Sequence, residues 1–156
     1  MKSRPTREEL AAWRAFLEAY HAVTAVLGEE LEEIGLPIAF YDVLVQLNES
    51  GPNGLRMADL ARRVLLSKSG LTRLIDRMVH QGLVRRQPSP EDGRGYYIIP
   101  TARGRTALRR ASPFHLRGVA MHFTSLLSDD EIKAVTNAMN RVAESARLQH
   151  SEAQLG

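Results

Sequence analysis

The sequence predicts a mainly helical chain with a small β-hairpin, an α+β fold in which two short helices lead straight into two short strands. Three observations carry this. Apolar residues recur at three- and four-residue spacing along most of the 156 residues, as in helices with one buried face. That period changes only between Gly82 and Pro100, where runs of Val, Tyr and Ile replace it. Charge is unevenly spread: residues 1–50 carry a net −5, residues 51–110 a net +9 and residues 111–156 a net −1. The length suits one domain, 1–156.

The first helix opens at Thr6-Arg7-Glu8-Glu9, a capping box in which the Thr6 hydroxyl and the Glu9 carboxylate satisfy early N–H groups. Leu10, Trp13, Leu17, Tyr20, Leu27, Leu31 and Ile34 then line one stripe, with Phe16, Val23 and Val26 beside it. This is more apolar surface than one neighbouring helix covers, and Gly28 is expected to loosen or break the helix. Pro37 suits the first turn of a second helix reaching about Asn48, with Phe40, Val43, Leu44 and Leu47 on its apolar face. Ser50 to Gly54 is turn chemistry.

Two short helices are expected from Leu55. The first carries Met57, Leu60, Ala61 and Val64. The second starts near Ser67, carries Leu71, Leu74, Ile75, Met78 and Val79, and ends at Gly82, a good C-cap residue. Only Leu65 and Leu66 separate the two patterns, so they read as a helix-turn-helix. Leu83–Gln87 and Tyr96–Ile99 form the hairpin, joined by Pro88 to Gly95 and closed by Pro100, which lacks an N–H. Thr101 caps another helix, which Pro113 is expected to kink or interrupt before the pattern resumes at Leu116, Val119, Phe123 and Leu126. Ser128-Asp129-Asp130-Glu131 is a second capping box, opening a last helix with Ile132, Val135, Met139 and Val142.

Composition excludes several classes of function. There is no cysteine, which removes disulfides, thiolate catalysis and Cys-ligated zinc. The start, MKSRPTREEL, is polar and unlike a signal peptide. The longest apolar stretch, LPIAFYDVLVQL, is short and contains Asp42, so no membrane span is expected and the location should be cytoplasmic. HExxH, P-loop and G-x-S-x-G signatures are absent, so the chain does not read as an enzyme. His115 and His122 could share a helix face, but no carboxylate or cysteine cluster accompanies them, and neither a metal nor a cofactor is expected.

The basic middle points to DNA. Ser67, Lys68, Ser69, Thr72, Arg73 and Arg77 occupy the first three turns of the second short helix. Small side chains let a helix approach the floor of the major groove. Arginine can bond guanine O6 and N7, and hydroxyls can bond bases or phosphates. Arg85 and Arg86 open the hairpin where backbone phosphates would lie. In the loop, Gly93 and Gly95 frame Arg94, a guanidinium that can enter the minor groove, and Asp92 can hold it in a defined pose.

Taken together, the Asp59-Leu60-Ala61 helix, the Ser-x-Ser-x-x-Thr-Arg run from Ser67 to Arg73, Gly82-Leu83-Val84-x-Arg86, Asp92-x-Arg94 and Thr101-x-x-Gly104 resemble the DNA-binding lobe of the MarR family of winged helix-turn-helix regulators. The match covers about 50 residues tightly. The resemblance implies a winged lobe over 37–104 and helical dimerisation regions over 6–35 and 105–148. It also implies a homodimer that represses transcription by binding double-stranded DNA at a pseudo-palindromic operator, and a small aromatic or anionic effector held between lobe and dimer helices. Trp13, Phe16, Tyr20, Phe40, Tyr41 and His115 are the candidate effector contacts, with core or dimer packing as their competing role. Pro100 departs from the family pattern, which has an apolar residue other than proline before the threonine. The alternative reading is a winged-helix protein-interaction module that does not read an operator; the retained Arg73, Arg77 and Arg94 argue against it.

Overall fold

The computed structural model describes residues 4–64, 68–89 and 95–153. Its elements are α1 (Arg7–Glu33), α2 (Ile38–Glu49), β1 (Leu55–Arg56), α3 (Met57–Val64), α4 (Lys68–His80), β2 (Val84–Pro88), β3 (Tyr96–Pro100), α5 (Ala102–His122) and α6 (Asp129–Ala153), with a short 3-10 turn at Thr124–Leu126. Two compact units divide the chain, residues 1–118 and 119–156.

The first unit holds the core. From α2, Phe40, Val43, Leu44 and Leu47 are fully buried, and they meet Leu60 of α3, Leu71, Ile75 and Met78 of α4, and Val84 and Ile98 of the sheet. Each such side chain contributes roughly 1.5–3 kcal/mol on leaving water. Only the end of α1 joins this core, through Leu27 and Leu31. Further back, Leu10, Trp13, Phe16, Leu17 and Tyr20 stay exposed. The Thr6 capping box forms as expected, Glu9 N donating to Thr6 Oγ1 at 3.2 Å and Thr6 N to Glu9 Oε2 at 2.7 Å. Gly28 does not break α1: the helix runs through it, and a Cβ there would meet Ile38 at an ordinary 3.8 Å.

The sheet differs from a two-stranded hairpin. Leu55 and Arg56 are a third strand rather than the start of a helix, giving the order β1-β3-β2, all antiparallel. Leu55 lies opposite Ile98, and Arg56 opposite Tyr97. Pro100 closes β3 opposite Val84. Gly82, with φ at +70°, turns the chain out of α4: its N–H reaches the Val79 carbonyl at 2.9 Å, and Leu83 N–H reaches that of Met78 at 2.9 Å.

Pro113 sits inside α5 without interrupting it. It removes one donor, leaving the Arg109 carbonyl without its usual partner, while Leu108, Ala111 and Gly118 bury the helix on both sides of the proline. Tertiary packing of a long helix outweighs that one missing bond. The helix ends at His122, so Phe123 and Leu126 belong to the turn that follows. In the second unit the Ser128 capping box opens α6, Ser128 N donating to Glu131 Oε2 at 2.8 Å. These bonds, the backbone one first, hold the Glu131 carboxyl below its usual range.

Candidate nucleic-acid interface

Helix α4 presents two opposite faces. Leu71, Leu74, Ile75 and Met78 are buried. Thr72, Arg73, Asp76 and His80, spaced to share the other face, are exposed. Of the residues predicted to meet DNA, Thr72 and Arg73 lie on this outer stripe. Arg77 lies at its edge, with its guanidinium over the buried ring of Phe40, 5.2 Å from the centroid. Arg86, on β2, is ion-paired with Asp76 across to α4, Nη2 to Oδ1 at 2.5 Å. Ser67, Asp92 and Arg94 lie outside the described residues, as do the side chains of Lys68 and Ser69, which start α4. Asp76 and His80 carry the signal that residue-type reasoning passed over, since helical spacing alone puts them on the Arg73 face.

Beside this stripe stands the sheet. Alternation puts Arg85 and Gln87 of β2, Tyr97 of β3 and Arg56 of β1 on one face, with Ser89 and Gly95 just beyond the strand ends. Arg85 Nη1 donates to Gln87 Oε1 at 2.8 Å. Arg56 reaches across the middle strand: Nε donates to the Tyr97 hydroxyl at 3.3 Å, Nη2 to Ser89 Oγ at 3.1 Å, and the guanidinium lies 5.3 Å from the Tyr97 ring centroid. Ser89 is buried, and its N–H closes on the Gly95 carbonyl at 2.8 Å.

Thr101 ties the end of α4 to the start of α5. Its hydroxyl donates to the Gly82 carbonyl at 2.6 Å and accepts from Gly104 N–H at 3.0 Å, while its N–H donates to the Leu83 carbonyl at 3.0 Å. A Cβ on Gly104 would stand 2.0 Å from the Leu83 oxygen, so only glycine lets α5 pack this closely.

The six aromatic and histidine candidates fall in three places. Trp13, Phe16 and Tyr20 form an exposed ladder along α1, with centroids 5.8 and 6.4 Å apart. Phe40 is core, beneath Arg77. Tyr41 and His115 are in contact, ring centroids 4.4 Å apart. His115 Nδ1 is buried and, among the described residues, has no hydrogen-bond partner. Burial pushes the His115 pKa down, against the pull of Asp42 and then Glu30; burial pushes Asp42 up, with His115 opposing.

None of the six lines the cleft of about 480 Å³ between the α1–α2 connection and α5. Its walls are Ile34, Leu36, Leu83, Ala107 and Ala111, with Arg103 and Arg110 one above the other on α5. Among the described residues there is no group of His, Asp and Glu able to hold a metal ion, and no helix long and apolar enough to cross a membrane.

Comparison with known proteins adds to this geometry. Residues 34–95 match the model of the MarR family. AbsC, a MarR family transcriptional regulator from Streptomyces coelicolor, is 35% identical, covering 94% of this chain and 99% of its own, with a TM-score of 0.86. Sco3205 from the same organism, a MarR family regulator solved in complex with DNA, is 33% identical over 93% of this chain and 91% of its own, with a TM-score of 0.87. The transcriptional regulator MhqR of Bacillus subtilis is 24% identical over 94% of this chain and 99% of its own length.

Proposed function

The chain belongs to the MarR family of DNA-binding transcription regulators and is not an enzyme, and from that premise we propose that it represses transcription as a homodimer on a near-palindromic operator. The observation that carries this is the exposed Thr72–Arg73–Asp76–His80 stripe of α4, backed by a rigid core and flanked by the sheet. In this reading α4 enters the major groove, Arg73 reads base edges, and Ser67, Lys68, Ser69 and Thr72 contact bases or phosphates. Arg94 enters the minor groove, posed by Asp92. Arg77 and Arg86 contribute from the flanks, each held by its protein partner. DNA complex formation by Sco3205 supports the reading. The protein acts in the cytoplasm, where the operator is.

The second copy covers the exposed ladder of α1 and the exposed Val135, Met139 and Val142 of α6. Two-fold protein symmetry then sets half-sites about 10 base pairs apart. A small anionic effector belongs to the same reading. The cleft has a volume suited to one, and its two arginines stand over an apolar wall, the combination an aromatic carboxylate needs.

The test is a footprint on the DNA flanking the protein's own gene. Two protected half-sites and an affinity that falls steeply with salt are expected. Binding without sequence preference would instead favour the protein-interaction reading.

A further inference from the structure

Resting on that reading of the lobe, we propose that Arg56 is the positioning residue of the wing: a side chain from β1 that holds Ser89 and, through it, Gly95, the two residues from which the DNA-contacting loop departs. A two-residue strand contributes little to a sheet by its ladder alone. What β1 adds is this one guanidinium. From Arg56 it crosses the middle strand over the Tyr97 ring and bonds Ser89, the residue that follows the far strand. All three strands are thereby joined at the base of the loop.

The surroundings are shaped for it. Ser89 is a buried polar residue, 4% exposed, and its hydroxyl accepts from an arginine across the sheet. Gly95 lies beside them, and a Cβ there would meet Arg56 Nη1 at an ordinary 3.7 Å, so the guanidinium packs against the backbone at the end of the loop. Tyr97 serves twice, its hydroxyl accepting from Nε and its ring lying under the cation. Arginine suits this task because its planar fork spans two acceptors at fixed angles; a lysine ammonium is a point charge and cannot hold both. Ser89 N–H to Gly95 O then closes the base, so both ends of the loop inherit the position of Arg56.

The experiment is a double-mutant cycle in operator affinity, with Arg56→Lys, Arg56→Met and Ser89→Ala each made alone and together with Arg94→Ala. Melting temperature and groove-resolved footprints are recorded for every variant. A positioning role requires Arg56→Lys to lose affinity by about tenfold, nearly as much as Arg56→Met, and to lose almost nothing further once Arg94 is gone. Protection should disappear from the minor groove flanks and persist over the α4 half-sites. Should Arg56→Met fail to fold, Arg56→Lys and Ser89→Ala carry the same comparison. Wild-type affinity in Arg56→Lys, or losses that simply add to that of Arg94→Ala, overturns the proposal, the second result marking Arg56 as a direct phosphate contact. If Arg94→Ala itself binds normally, the wing reading fails and this inference with it; if only the Arg56 and Ser89 variants bind normally, the wing reading stands and the inference alone falls.

Discussion

Arg86 of β2 and Asp76 of α4 are ion-paired at 2.5 Å, which fastens the hairpin to the helix proposed to read DNA. Asp76 is the more exposed partner, at 58% against 33% for Arg86, so screening keeps the coupling small, about 0.2–1 kcal/mol in a double-mutant cycle read by urea unfolding. Its effect on DNA should be larger than its effect on stability. Asp76→Ala removes a negative charge from the DNA-facing stripe, yet should weaken operator binding because Arg86 is released. Tighter binding by the variant would show the pair to be incidental.

Arg73→Ala should cost about 1–3 kcal/mol of operator affinity and relax the preference at one position of each half-site. Arg94→Ala should weaken binding with an unchanged circular dichroism spectrum. Asp92→Ala should weaken it too, although simple electrostatics expects an added net positive charge to help. Titration of labelled operator against the three variants separates these outcomes.

Acid should loosen the first unit through His115. Burial holds this imidazole's pKa below its ordinary value near 6.5, so the unfolded chain takes up the proton more readily. The stability tied to neutral His115 is therefore complete above that ordinary value and is lost as pH falls below it. Asp42, shifted upward by burial, works the other way and favours the fold as it protonates at lower pH. The melting temperature should drop between pH 7.5 and 5.5, and His115→Phe, which keeps a ring against Tyr41, should flatten that drop.

An anion in the cleft should depend on both of its arginines. In a thermal-shift screen of aromatic carboxylates, any ligand that stabilises the protein should lose its effect in Arg103→Ala and in Arg110→Ala. Retained stabilisation in both would move the effector to the Tyr41–His115 contact.

Tyr20, 64% exposed on the α1 ladder, should be covered by the second copy. Tyr20→Glu should convert the dimer into a lighter species in sedimentation equilibrium and abolish half-site pairing in the footprint. An unchanged mass would remove α1 from the interface.

What the sequence made legible was local. Both capping boxes join residues three apart, and both form. The faces of α2 and α4 follow from periodicity. β1 escaped because nothing in Leu55-Arg56 marks a strand; it becomes one only by meeting Ile98 and Tyr97 more than 40 residues on. Pro113 was overread for the opposite reason: its local cost is real, but Leu108 and Gly118 hold the helix from either side. Among the candidate DNA contacts, charge singled out Arg77 and Arg86, which lie on α4 and on β2. It could not reveal that Phe40 and Asp76 already engage them.

The Thr101–Gly104 joint bears on how this family can be recombined. One hydroxyl serves the end of α4, the start of the sheet and the first turn of α5, and one absent methyl admits the Leu83 carbonyl. Gly82 and Leu83 are thus tied to Thr101 and Gly104, and the two ends of that span belong together. A chimera that borrows another regulator's reading head should keep its seam outside this span, ahead of α2 and beyond the first turns of α5. A seam at the apparent loop after Gly82 would separate a cap from the helix it caps.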